Sequence, residues 1–259
     1  MRFCVLGGGS KGNATYVEAG ETRLLIDAGF SGREIETRLA ALGVAAASLS
    51  AILLSHEHCD HIRGAGVLSR RYRLPLLANR ATLAAAGPGL GNPAAVGEFT
   101  TGTAFVCGEV QIHPFAVSHD AAEPVGFLLQ AGGISLGHCT DLGMVSRLTR
   151  HRLSGCNALV LECNHDPEML MNGPYPPALK QRVRSRHGHL ANQDAAAFLC
   201  ELLHRELRHV VLSHLSETNN TPALAEQAVR AALTATGAGP LPQITIACQH
   251  LGSALLHLR

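Results

Sequence analysis

Residues 55–64 read SHEHCDHIRG and follow the apolar run AILL at 51–54. His56, His58, Asp60 and His61 therefore crowd together where a short buried strand gives way to a turn. Imidazole and carboxylate at this density can build most of two adjacent metal sites, and two metals can turn water into a nucleophile. Alternation along the strand end points His56 and His58 the same way, while Asp60 and His61, on the turn, reach a neighbouring ion. The first expectation is a hydrolase.

The remaining pattern supplies a frame for that cluster. RFCVL, NATYVEA and TRLLIDAG open the chain as short strands separated by Gly-containing turns, and SGREIETRLAALG reads as a helix with a Gly stop. After the cluster, IRGAGVLSRRYR reads as helix, PLLAN as strand, and residues 87–97 as a Gly/Pro/Ala-rich connection. TAFVCG, VQIHPFAVSH, VGFLLQAG and GISLGHCTD read as successive strands. A helix near 142–153, the strand NALVLEC, the helix NQDAAAFLCELLHREL, the strand HVVLSHL, the helix PALAEQAVRAALTAT and a final ITIAC strand follow. Strands interleaved with helices in this way predict two packed sheets covered outside by helices.

Composition narrows the partners. The formal charge of the 259 residues is +1, so any affinity for nucleic acid needs a local basic patch. The eight cysteines form no CxxC pair and no charged-then-apolar leader opens the chain, which together predict reduced thiols in the cytoplasm. No apolar stretch reaches the roughly 18–20 residues of a spanning helix, so no membrane role is expected. The loop GGGSKG matches the dinucleotide fingerprint through Gly7, Gly9 and Gly12, yet a strand rather than a helix follows it. A tight loop near the metals, with Ser10, Lys11 and Asn13 touching substrate, is the better reading.

LLIDAG, SHEHCDH, SHDAAEPVGF, CTDLG and LSHLS, in this order, resemble the successive motifs of the metallo-β-lactamase fold, and the resemblance covers the whole chain. GGGSKGNAT, LECNHD, GPYPPALKQRVRSRHGHLANQDAA and LSHLSETNN resemble more narrowly its YycJ (WalJ) branch. The resemblance implies an α/β fold, an αββα sandwich of two mixed sheets. It implies a single domain over 1–259, in two pseudo-related halves of about 1–100 and 101–259, without the β-CASP insertion. It further implies His56, His58 and His119 on one metal and Asp60, His61 and His214 on the other, with Asp141 between them and Asp27 supporting the histidine loop. His119, Asp141 and His214 each end a predicted strand, where loops converge. Zinc is favoured by the imidazole-rich set, with Mn or Fe left open. Cys59 is read as filler, and His138, His151, His165, His187 and His250 as lying outside the ligand set.

The metals alone do not choose a substrate. In the tRNA 3′-processing and cyclic-phosphodiesterase relatives a histidine in the motif that includes His189 contacts phosphate and assists the leaving group. By that resemblance His189 protonates the departing oxygen or steadies the phosphorane, and Glu162 orients it, a task suited to imidazole. Asp60, His189 and Glu162 are thus the candidate catalytic residues, with a metal-bridging hydroxide as nucleophile. Lys180, Arg182, Arg184 and Arg186 alternate through KQRVRSRH; on an extended segment all four would face one side and track a polynucleotide backbone.

The YycJ resemblance implies a DNA nuclease directed at a 5′ end. A cyclic phosphodiesterase acting on a small phosphoribosyl molecule is the alternative. A catalytically silent metal-binding protein is a third reading, disfavoured because all seven ligands are present by motif. A homodimer stays open.

Overall fold

The structure, a computed structural model, describes residues 1–258. Two seven-stranded sheets are formed. In the first, β1 (Arg2–Gly7), β2 (Ala14–Ala19) and β3 (Thr22–Ile26) form an antiparallel meander. β4 (Ala51–Leu53), β5 (Pro75–Ala78) and β6 (Ala95–Glu98) then continue from β3 in parallel. The second repeats the plan. β7 (Phe105–Cys107), β8 (Val110–Ala116), β9 (Val125–Ala131) and β10 (Ile134–Cys139) are antiparallel, and β11 (Ala158–Glu162), β12 (His209–Ser213) and β13 (Gln243–Ile246) extend β10 in parallel. β14 (Leu256–His257) returns to the first sheet and pairs with β1.

Period-two alternation explains why the sheets stack. Phe3, Val5, Leu24 and Ile26 point inward and meet Ile112, Phe127, Leu136 and Val160 of the other sheet in one buried core. Their strand neighbours Cys4, Leu6 and Leu25 point outward and are covered by Ile35 and Leu39 of α1 (Gly32–Ala41). α2 (Cys59–Ile62) carries part of the histidine cluster, and α3 (Ala65–Tyr72) and α4 (Arg80–Ala86) complete the helices before the second sheet. On that sheet α5 (Arg147–Leu153) and α6 (Pro167–Asn172) are followed by α7 (Pro177–Val183). Phe198 and Leu199 of α8 (Asn192–Glu201) and Val229 and Leu233 of α9 (Pro222–Ala235) cover its outer face. The result is the αββα sandwich.

Three segments differ from the expectation. The connection at 87–97 carries the edge strand β6, preceded by α4, whose Asn79 cap accepts a hydrogen bond from the Thr82 amide. The long helix expected over residues 192–207 stops at Glu201. KQRVRSRH is not extended: Pro177 at the first turn and the formers Ala178, Leu179, Lys180 and Gln181 make α7. Residues two apart on a helix are rotated by about 200°, so Lys180 and Arg182 face apart, and with Arg184 at the C-cap and Arg186 beyond it the four do not form a single row.

Candidate metal centre

Strand ends aim the site. Asp27 and His214 directly follow β3 and β12, and Asp141 follows β10 after Thr140; their φ values are 59°, 59° and 55°. A non-glycine residue rarely adopts this left-handed region, and here three of them turn their side chains into the same space. β4 leads through Leu54 and Ser55 to His56; His58 caps α2, whose single turn holds Asp60 and His61.

The donors converge in two triads. His56, His58 and His119 form one and Asp60, His61 and His214 the other, the ligand atoms within each lying within 4.8 Å of one another. His56 Nε2 is 3.1 Å from His58 Nδ1. Asp141 lies between the triads: Oδ1 is 3.5 Å from His119 Nε2 and 3.6 Å from His214 Nδ1, and Oδ2 is 3.2 Å from His61 Nε2. The structure thus brings all seven candidate ligands together.

Outer partners set which nitrogen faces inward. Nδ1 of His61 meets Asp27 Oδ2 at 2.8 Å, Nδ1 of His119 meets the Gly188 carbonyl at 3.1 Å, and Nδ1 of His214 meets Glu162 Oε1 at 2.9 Å. A proton on Nδ1 in each leaves the Nε2 lone pair for the interior, the tautomer a metal needs. Asp27 also accepts hydrogen bonds from the amide and hydroxyl of Ser55, both at 2.8 Å, so one carboxylate fixes the start of the histidine loop and one of its rings.

The residues fit a metal. Asp141 Oδ2 and His214 Nε2 are buried without a hydrogen-bond partner among the described residues, a costly condition that a bound cation would relieve. Electrostatics agree. Burial pushes the Asp141 carboxyl up, but His214 and His61 outweigh it and hold it well below the usual range. Burial likewise pulls His61 down, and Asp141, Asp27 and Asp60 more than reverse it. Asp141, Glu162, His189 and His214 form a further cluster. Glu162 Oε1 is already shared by Nδ1 of His189 and His214, at 2.7 and 2.9 Å, so Glu162 is a brace between rings rather than a free donor.

Glu162 is fully buried, and Oε2 accepts the amides of Leu142 at 2.6 Å and Leu190 at 3.3 Å. Burial raises its carboxyl; His189 and His214 overcome this and hold it at about 2. His189 stands at the wall of a cavity of about 220 Å³ that also exposes His58, Asp60, His119, Asp141 and His214.

Of the expected substrate contacts, Ser10 and Arg182 line this cavity. Lys11 sits beside it in an ion pair with Glu217 at 2.7 Å. Asn13 is buried and does not line the cavity; its amide lies 3.0 Å from His61 Nε2 and 3.3 Å from both the Asp60 carbonyl and Asp60 Oδ2, in contact with two candidate ligands. Lys180 and Arg184 turn to Met171, through its carbonyl at 2.8 Å and its sulfur at 3.1 Å, and Arg182 alone of the four basic residues reaches the cavity, where it pairs with Asp120 at 2.6 Å. His138 is buried against the Thr15 hydroxyl at 3.1 Å, and Cys59 is exposed and free.

Sequence reasoning missed Asp120, Asn164, Tyr175, Ser216 and Asn219, which also line the cavity. Asn164, Ser216 and Asn219 sit in LECNHD and LSHLSETNN, and only their place beside strand ends could have flagged them.

Comparison with known proteins agrees with this geometry. The β-lactamase superfamily domain matches residues 22–236. Exodeoxyribonuclease YycJ of Bacillus anthracis is 40% identical over 241 residues, 92% of this chain and 91% of the relative. Exodeoxyribonuclease WalJ of Streptococcus pneumoniae is 36% identical over 233 residues, 87% and 85% of the two chains. The solved structure of Zn²⁺-bound PqqB from Methylobacterium extorquens superposes with a TM-score of 0.73 at 19% identity over the full length of both chains, a likeness of fold.

Proposed function

This chain belongs to the β-lactamase superfamily, in the branch of the YycJ and WalJ exodeoxyribonucleases, and on that premise we propose that it is a dinuclear metal-dependent phosphodiesterase that degrades DNA from an end, with a 5′ end favoured. The observation that carries the reading is the pair of donor triads with Asp141 between them, beside a histidine locked by Glu162. Zinc suits an imidazole-rich, redox-silent set.

Two divalent ions held there would supply Lewis acidity toward a phosphodiester and an acidified water. The chain's own residues do the rest. Asp27, Glu162 and the Gly188 carbonyl fix the rings of His61, His214 and His119. As imidazolium, His189 donates Nδ1–H to Glu162 and turns Nε2–H to the cavity, where it can pass that proton to the departing sugar oxygen and be left as neutral imidazole. Arg182, at the rim, offers charge to a phosphate. No described helix is long and apolar enough to cross a membrane.

A panel tests the reading: 5′-labelled double-stranded DNA, single-stranded DNA, RNA and a ribose cyclic phosphate, each with metal-loaded protein. Progressive shortening of DNA from its 5′ end, faster than turnover of the other substrates, is the expected result. Preference for the cyclic phosphate would replace the proposal with a small-molecule phosphodiesterase.

A further inference from the structure

The chain has seven phenylalanines, three tyrosines and no tryptophan. Every phenylalanine, together with Tyr16 and Tyr72, lies in or packs against one of the three hydrophobic cores. Tyr175 does not. It is half-buried in the wall of the metal cavity, and its hydroxyl has no hydrogen-bond partner among the described residues. The core therefore gives no account of its position.

Its setting is rigid. Tyr175 lies between Pro174 and the pair Pro176–Pro177, and Pro176 has φ −59° and ψ 152°. Proline on both sides restricts the backbone, so little entropy remains to be lost when a ligand meets the ring. Leu179, on the first turns of α7, lines the same cavity. The segment carrying both residues is docked tightly at its far end, because a Cβ on Gly143 would come within 2.4 Å of the Arg186 carbonyl, which also accepts a hydrogen bond from the Ser118 hydroxyl at 2.7 Å. Tyr175 and Leu179 thus form an apolar shelf on a firmly seated element.

Polar groups line the rest of the cavity. Asn219 is 1% exposed, its Oδ1 is buried with no hydrogen-bond partner among the described residues, and the residue lines the cavity together with Asn164 and Ser216. A buried amide oxygen without a partner is costly, and a ligand edge that pairs with it removes that cost. The shelf wants a flat apolar face and the asparagine wants a hydrogen-bonding edge. A nucleobase has both.

Building on the phosphodiesterase reading above, we infer that Tyr175, with Leu179 beside it, is the platform on which the base of the nucleotide at the reacting end of the strand stacks, and that Asn219 pairs with the edge of that base. This subsite selects an end, because Tyr175 and Asn219 line the same cavity as His189 and the donor residues, so a base seated there belongs to a nucleotide at the reacting position. Stacking tolerates every base, so it adds affinity without sequence preference.

The test uses the absence of tryptophan, which leaves tyrosine emission readable. Titrating the purified protein with a 5′-phosphorylated thymidine dinucleotide should quench that emission in the parent and leave it unchanged in Tyr175→Phe, which still binds. Tyr175→Ala should weaken dinucleotide binding and raise KM on single-stranded DNA by about tenfold or more, with Tyr175→Phe restoring both. Equal thermal midpoints and metal content in the three proteins establish that the fold is kept. No quenching in the parent, or equal KM for parent and Tyr175→Ala, overturns the subsite. Quenching by the dinucleotide in a protein that leaves DNA uncut would keep the subsite and overturn the nuclease reading instead.

Discussion

Oε1 of Glu162 lies 2.7 Å from Nδ1 of His189, so the ring that faces the cavity beside the donor cluster is held in one tautomer and one orientation. A histidine so held has the geometry of a general acid once its Nε2 also carries a proton. His189→Ala should lower kcat on DNA by about 10²–10⁴-fold. The loss on bis(p-nitrophenyl) phosphate should be far smaller, because p-nitrophenolate departs without a proton. Glu162→Gln should follow the same pattern more weakly. Comparing kcat on the two substrates checks this; equal losses would assign His189 to holding the phosphate.

Asp27 touches no expected ion, yet it meets His61 and both donors of Ser55. Asp27→Asn removes the acceptor that fixes the His61 tautomer. Metal affinity should fall by about 10- to 100-fold, read by competition with a chromophoric chelator.

Arg182 is the one member of its basic stretch that reaches the cavity, although it is paired there with Asp120. Arg182→Ala should weaken single-stranded DNA binding more than Lys180→Ala or Arg184→Ala. It should also flatten the dependence of log K on log salt by about 0.7. Binding isotherms at several salt concentrations provide the comparison.

Remote from the site, Glu18 on β2 accepts from Arg2 at 2.7 Å and from the Tyr16 hydroxyl. Burial pushes its carboxyl up, but the hydrogen bonds from Arg2 and Tyr16 and the charges of Arg2 and Arg23 hold it below its ordinary 4.5. A carboxylate depressed in the folded state stabilises the fold above its unfolded pKa, and that contribution is lost as pH falls through the folded value. Glu18→Gln should therefore melt below the parent near neutral pH, with the gap closing in acid. Thermal midpoints across that range measure it.

Much of this was legible in the residues, for physical reasons that differ by element. The HEHCDH cluster is dense and local, so its role as a ligand source needs no tertiary knowledge. His119, Asp141 and His214 are single residues far apart in the chain, and the order of strand-end motifs was needed to join them. The left-handed backbone that turns Asp141 and His214 inward has no signature in their identities. In α7 the alternate charges of KQRVRSRH suggest an extended row, but the Pro-Ala-Leu-Lys-Gln start has the stronger local preference and makes it helical. The Gly-rich loop places Asn13 near the site, but only packing shows its amide turned onto Asp60 and His61. Tyr175 carries no periodic signal at all.

The central claim is a pair of ions held by the two triads and Asp141. Adding zinc stepwise to chelator-stripped protein while following release of nucleotides from 5′-labelled DNA tests it most directly. Activity should saturate near two equivalents of metal per chain in the parent and be lost in Asp141→Asn. Saturation at one equivalent, or full activity in Asp141→Asn, would contradict it.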